Sequence, residues 1–85
     1  MQISVVSRTK ALFQGEAEKV TLPSETGQIG ILTGHAPILG VLGEGLVRVT
    51  DYAGKVTNIE VSKGFFSVDE DIVTVACFDG KEPEA

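Results

Sequence analysis

The apolar residues of this chain come in short runs that end in Gly, Pro, Asn, Asp or Ser, and that punctuation constrains the fold more than any other feature. Within most runs the apolar side chains recur at every second position, and nowhere do they keep a helical spacing over a useful length. Gln2 to Val6 puts Ile3 and Val5 on one face. Leu46 to Asp51 sets Val47 and Val49 against Arg48 and Thr50. Lys55 to Ser62 returns with Ile59 and Val61, and Ile72 to Phe78 closes with Val73, Val75 and Cys77. The spacing predicts about nine or ten short strands in an all-β sandwich or barrel.

Turn chemistry separates the strands. Ser7–Lys10, Pro23–Gly27, Thr33–Pro37, Gly43–Gly45, Asp51–Gly54 and Asp69–Asp71 all read as turns. One run breaks the alternation. Between Leu12 and Leu22 the apolar positions switch from odd (Phe13, Ala17) to even (Val20, Leu22). A one-residue slip would send every later side chain to the wrong face, so a bulge or a change of sheet is expected near Glu18 and Lys19. The pattern ends at Gly80. The chain therefore reads as one sandwich over residues 1–80 with a polar, fraying tail over 81–85.

Composition narrows the function. With 85 residues, 42% of them apolar, the chain has enough for a single core. It carries four Phe, one Tyr and no Trp, so the core must be built from Val, Ile and Leu. The net charge is −5, and Lys10, Lys19, Arg48, Lys55, Lys63 and Lys81 are scattered singly. That excludes a nucleic-acid partner, which would need a basic stripe. The single cysteine excludes an intrachain disulfide. The opening Met-Gln-Ile-Ser-Val-Val lacks the charged and apolar regions of a signal peptide. No apolar run approaches the roughly 20 residues of a spanning helix. A cytosolic chain, or one held at a membrane only through partners, is expected.

No residue set points to catalysis. His35 has neither an evident nucleophile nor an orienting partner, and it reads as a structural histidine or a partner contact. Cys77 reads as a buried, inert thiol. One His and one Cys cannot make a zinc site, and Asp69, Glu70 and Asp71 lack the ligand spacing of a calcium loop. Gly40, Gly43 and Gly45 do not have the spacing of a dinucleotide or phosphate loop. No catalytic residue, metal or cofactor is expected, which favours a binding or structural role.

The run from Leu22 to Leu39, Leu-Pro-Ser-Glu-Thr-Gly-Gln-Ile-Gly-Ile-Leu-Thr-Gly-His-Ala-Pro-Ile-Leu, resembles the signature of the epsilon-subunit family of rotary (F-type) ATP synthases. Val5-Val6-Ser7 with Leu12-Phe13-Gln14-Gly15 resembles the family's opening hairpin. Gly45–Val49, Gly64–Val68 and Val73–Val75 are similar to later strands. The resemblance covers nearly the whole chain in order. It implies a flattened ten-stranded sandwich of two five-stranded sheets. It also implies a non-catalytic rotor subunit of the central stalk, binding gamma and the membrane ring and helping couple proton translocation to ATP synthesis. The expected location is peripheral, on the cytoplasmic side of a bacterial inner membrane, with membrane contact only through partner subunits.

The same resemblance implies site residues. Ser7, His35, Ala36, Pro37 and Ile38 are expected on the gamma-facing surface, with Ser7 near His35. Ser24, Glu25, Thr26, Gly27 and Gln28 are expected on the loop that reaches the ring. An exposed apolar patch is expected against gamma. The family's usual carboxy-terminal pair of helices does not follow the sandwich within these residues, so inhibition or nucleotide binding by that arm is not expected of them. The alternative class is a lipoyl- or biotinyl-type carrier domain. Such a domain needs a modifiable Lys at a hairpin tip, and Ser62-Lys63-Gly64 does not match.

Overall fold

The computed structural model describes residues 1–83 and contains ten strands. One sheet holds, in order, β10 (Gly80–Lys81), β7 (Val56–Val61), β6 (Gly45–Thr50), β3 (Lys19–Ser24) and β4 (Gly27–Leu32). The other holds β5 (Ile38–Leu42), β8 (Gly64–Asp69), β9 (Ile72–Cys77), β1 (Gln2–Val6) and β2 (Ala11–Glu16). Neighbours are antiparallel except β1 and β9, which run parallel with Gln2 opposite Ile72. The ladders are formally continuous, because Ser24 of β3 pairs with Leu42 of β5. That single register pair is flanked by Glu25 N–H donating to Val41 O (3.1 Å) and Gly43 N–H donating to Pro23 O (2.6 Å). The two five-stranded sheets expected from the family resemblance are thus present and hinged along one edge. The thin dimension of 20 Å fits two sheets packed face to face.

The phase switch in the Leu12–Leu22 run is the crossing between sheets. Ala17 N–H donates to Met1 O and the next amide, Glu18 N–H, to Thr50 O, both at 2.8 Å. Consecutive amides therefore bond to opposite sheets, and the inward side alternates correctly on each. A bulge also occurs, but earlier, where the register of β1 against β2 shifts between Val5 and Val6.

Two turn boundaries differ from the sequence reading. Pro23 and Ser24 belong to β3, so the turn shrinks to Glu25 and Thr26. Proline is tolerated there because Pro23 faces Gly43 with its carbonyl, where no N–H is required. Lys81, expected in the tail, pairs with Glu60 in β10. Glu82 and Pro83 have no regular structure, and the rest of the expected tail lies outside the described residues.

The core is aliphatic, as the composition requires. Ile3, Val5, Val20, Leu22, Ile31, Leu42, Val47, Ile59, Val73 and Val75 are essentially inaccessible. Phe66 is the buried aromatic of β8. Among the described residues no polar or charged residue is buried, so the interior needs no internal hydrogen-bond network.

Candidate protein-docking face

The residues that alternate with the core on β5, β8, β9 and β1 form the outer face of the second sheet. Strand registry places Val41 beside Phe65, Phe65 beside Ala76, and Ala76 beside Val6. The result is one unbroken apolar row across four strands. Phe65 is 64% exposed, and Leu39, two residues from Val41 on the same face, is 80% exposed. Leu39 heads the neighbouring row, whose other members in register, Ser67, Thr74 and Ser4, are polar. The outer face of the first sheet is built differently. Its exposed apolar residues are each set against a polar or charged neighbour: Leu46 pairs with Glu60, Leu32 with Lys19, and Val56 with Thr50. Only the second sheet offers contiguous apolar surface of the kind that marks interaction sites.

The row opens at one end into a shallow hollow of about 690 Å³ between Phe65 and Phe78. Gly64 forms part of its floor, where an added Cβ would strike the Ala76 carbonyl oxygen. Arg8 closes the rim. Its guanidinium lies 3.9 Å from the centroid of the Phe78 ring, Nε donates to Phe78 O (3.2 Å), and Nη2 pairs with Asp79 Oδ1 (2.9 Å). Beneath the rim Cys77 is 5% exposed, with Sγ donating to Val6 O at 3.4 Å. Burial pushes its thiol pKa up, reinforced by the Asp79 charge and opposed by backbone hydrogen bonds, so it is held as a neutral thiol. Among the described residues no group of His, Cys, Asp or Glu side chains gathers to hold a metal.

The segment 33–37 connects β4 to β5. Gly34 adopts φ +87°, a left-handed conformation that glycine enters without steric cost. His35 N–H donates back to Leu32 O (3.1 Å), and His35 Nδ1 lies 2.6 Å from Ala36 O. A carbonyl only accepts, so Nδ1 carries the proton, and among the described residues no hydrogen bond engages Nε2. Pro37 leads directly into β5. Ala36 and Pro37 are exposed and His35 is half-buried. Ile38 turns inward against the core, and the residue of β5 that projects outward is Leu39.

Ser7 does not lie near His35. β1 runs parallel to β9, so Ser7 follows Val6 at the level of Cys77, whereas His35 precedes Ile38 at the level of Val68 and Val73. The two are at opposite ends of the second sheet and three strands apart laterally. Ser7 Oγ donates to Lys10 O (3.2 Å) within its own turn. No local pattern signals this separation, because it depends on the parallel pairing of β1 with β9. The apolar row crosses the sheet at the Ser7 end, since Val6 immediately precedes Ser7.

The β3–β4 hairpin is a compact tip. Ser24 Oγ donates to Gly27 O and approaches Thr26 Oγ1 at 3.3 Å, which rigidifies the loop. Glu25, Thr26, Gly27 and Gln28 are all exposed. β4 carries the chain from this tip to segment 33–37, so the tip lies at the opposite end from His35 but at the same end as Ser7, and Ile38 lines a shallow hollow with Ser24, Glu25 and Thr26. Lys63 sits in the bend between β7 and β8, where its carbonyl accepts from Phe78 N–H (2.9 Å).

Comparison with known proteins matches residues 1–80 to the family described as ATP synthase, delta/epsilon chain, beta-sandwich domain. A protein of Bordetella petrii named ATP synthase epsilon chain is 43% identical over 75 residues, covering 88% of this chain and 53% of that one. The protein of that name from Nostoc sp. is 43% identical over 76 residues, covering 88% and 56%. That from Micrococcus luteus is 40% identical over 76 residues, covering 89% and 84%. The chain spans about half the length of the first two relatives and most of the third. Its fold is similar to a chain in the Euglena gracilis mitochondrial ATP synthase, with TM-score 0.85 and 22% identity over 95% of this chain and 51% of that one. It is also similar to a chain in the central stalk and c-ring of the Tetrahymena thermophila enzyme, with TM-score 0.71 and 15% identity over 95% and 65%.

Proposed function

This chain belongs to the ATP synthase delta/epsilon chain β-sandwich family, and on that premise we propose that it is a non-catalytic rotor subunit that docks on gamma through the outer face of its second sheet. The observation that carries the docking face is the continuous row Val41–Phe65–Ala76–Val6, with Leu39 beside it. Apolar side chains in register across four strands present a flat, preorganised surface. Burying that surface against a partner supplies the hydrophobic term without ordering a loop. The 33–37 segment borders the face at one end and the Arg8–Phe78 rim at the other, which gives the partner two shaped boundaries.

The hairpin tip at Ser24–Gln28 is the second contact, toward the polar loops of the membrane ring. Its exposed carboxylate and amide give orientation more than affinity. A rigid sandwich that meets gamma through one sheet face and the ring through its hairpin tip links its two partners so that they turn together. No helix of the described residues is long and apolar enough to cross a membrane. The chain would then reach the membrane face, on the cytoplasmic side in a bacterium, through its partners.

Mixing the chain with purified gamma and measuring the mass of the eluted species by light scattering tests this reading. A one-to-one complex is expected. Two folded proteins that elute separately at micromolar concentration would exclude gamma docking by this sandwich.

A further inference from the structure

We infer that Asp71, in the turn between β8 and β9, is the positioning residue for the 33–37 docking turn; the inference rests on reading that turn as a gamma contact. Gly34 N–H donates to Asp71 Oδ1 at 2.7 Å. The other hydrogen bonds described for segment 33–37, from His35 N–H to Leu32 O and between His35 Nδ1 and Ala36 O, remain within the segment or the strand it leaves. The contact to Asp71 is therefore the one described hydrogen bond that ties the turn to another element. Asp71 is itself anchored, because its carbonyl accepts from Gln2 N–H at 2.9 Å.

The backbone of the β8–β9 turn supports the same conclusion. Glu70 (φ 48°) and Asp71 (φ 60°) are both left-handed, and neither is glycine. A two-residue hairpin loop of this conformation favours Asn-Gly, because glycine takes the second position without a steric penalty. Aspartate stands where glycine would be less strained. What glycine lacks is a side-chain acceptor, and that acceptor is the atom bonded to Gly34. The strain is retained at the residue that reaches across to the docking turn. In the linear order Asp69–Asp71 reads only as a turn, since nothing there places it beside Gly34.

The test separates positioning from folding. Asp71→Gly relieves the backbone and deletes the acceptor, whereas Asp71→Asn keeps an acceptor and tolerates the left-handed conformation. Thermal midpoint, affinity for purified gamma and hydrogen exchange at the Gly34 amide are measured for both. For Asp71→Gly the midpoint should hold or rise, gamma affinity should fall about fivefold to tenfold, and Gly34 exchange should accelerate by a similar factor. Asp71→Asn should stay within about twofold of the parent in affinity. Parent binding with unchanged affinity in Asp71→Gly overturns the inference alone. A lowered midpoint together with weaker binding overturns it too, because Asp71 would then be a folding residue. Failure of the parent chain to bind gamma removes the docking reading and this inference with it.

Discussion

The ring of Phe66 lies over the Cα of Gly40 on the neighbouring strand, in the space that a side chain at residue 40 would fill. Phe66 is only 3% exposed, so a methyl group at residue 40 must displace a buried ring. Gly40→Ala should therefore destabilise the sandwich by about 1–3 kcal/mol through overpacking. Urea unfolding checks it. Combining Gly40→Ala with Phe66→Leu should lose less than the sum of the two single changes, because the smaller residue vacates the contested volume. Strict additivity would mean that the two positions do not share that volume.

Phe65 is the outward neighbour of Phe66 and tests the opposite face. Phe65→Lys removes an exposed ring from the centre of the apolar row, so unfolding free energy should stay within about 0.5 kcal/mol. Affinity for gamma should drop by at least about tenfold, since aromatic anchors dominate interface energetics. Calorimetric titration against gamma checks the second part. An unchanged dissociation constant would move the interface off this face.

Glu70 has no hydrogen-bond partner among the described contacts, unlike Asp71, yet shares its left-handed backbone. Glu70→Asn should stabilise the fold by roughly 0.5 kcal/mol, because asparagine enters that conformation at lower cost. The midpoint of urea denaturation should rise with its slope unchanged.

The periodicity of Val47, Val49, Ile59, Val61, Val73 and Val75 showed the core directly, because alternation is a local property of a half-buried strand. The phase change at Glu18 and Lys19 was legible for the same reason, and it marks the passage between sheets. Pro23 carries the composition of a turn yet lies in β3, because its missing N–H falls where no donor is needed. The docking face was less legible. Leu39 and Phe65 carry no signal that distinguishes exposed from buried apolar residues until registry is known. Ile38 and Leu39 are equivalent in composition, yet one turns inward and the other outward. The separation of Ser7 from His35 and the contact of Asp71 with Gly34 both depend on long-range strand order, which no local pattern encodes.

Cys77 reports on the stability of the second sheet. Burial raises its thiol pKa above the ordinary cysteine value, so the neutral form is favoured by folding. That contribution is fully present below the unfolded-state value. It is lost as pH rises through the folded value, so stability should decline at alkaline pH, above the ordinary cysteine value. At neutral pH, modification by an aromatic disulfide reagent should require opening of the sheet and should accelerate with added urea. Rapid labelling of the native protein at a rate independent of urea would show that the thiol is open to solvent.

His35 and Glu25 lie at opposite ends of β4, and that separation gives the sharpest test of a two-ended linker. Residues so far apart without shared partners are expected to act independently. Glu25→Lys should leave affinity for gamma unchanged and weaken attachment to the membrane ring, measured as retention of the chain on reconstituted ring complexes. His35→Ala should do the reverse, lowering gamma affinity by about threefold to tenfold while ring retention holds. The double variant should show both losses and no more. A charge reversal at Glu25 that weakened gamma binding would bring that partner round to the hairpin tip. This is geometrically feasible through Val41, whose carbonyl accepts the Glu25 amide. The two ends would then contact one partner rather than linking two.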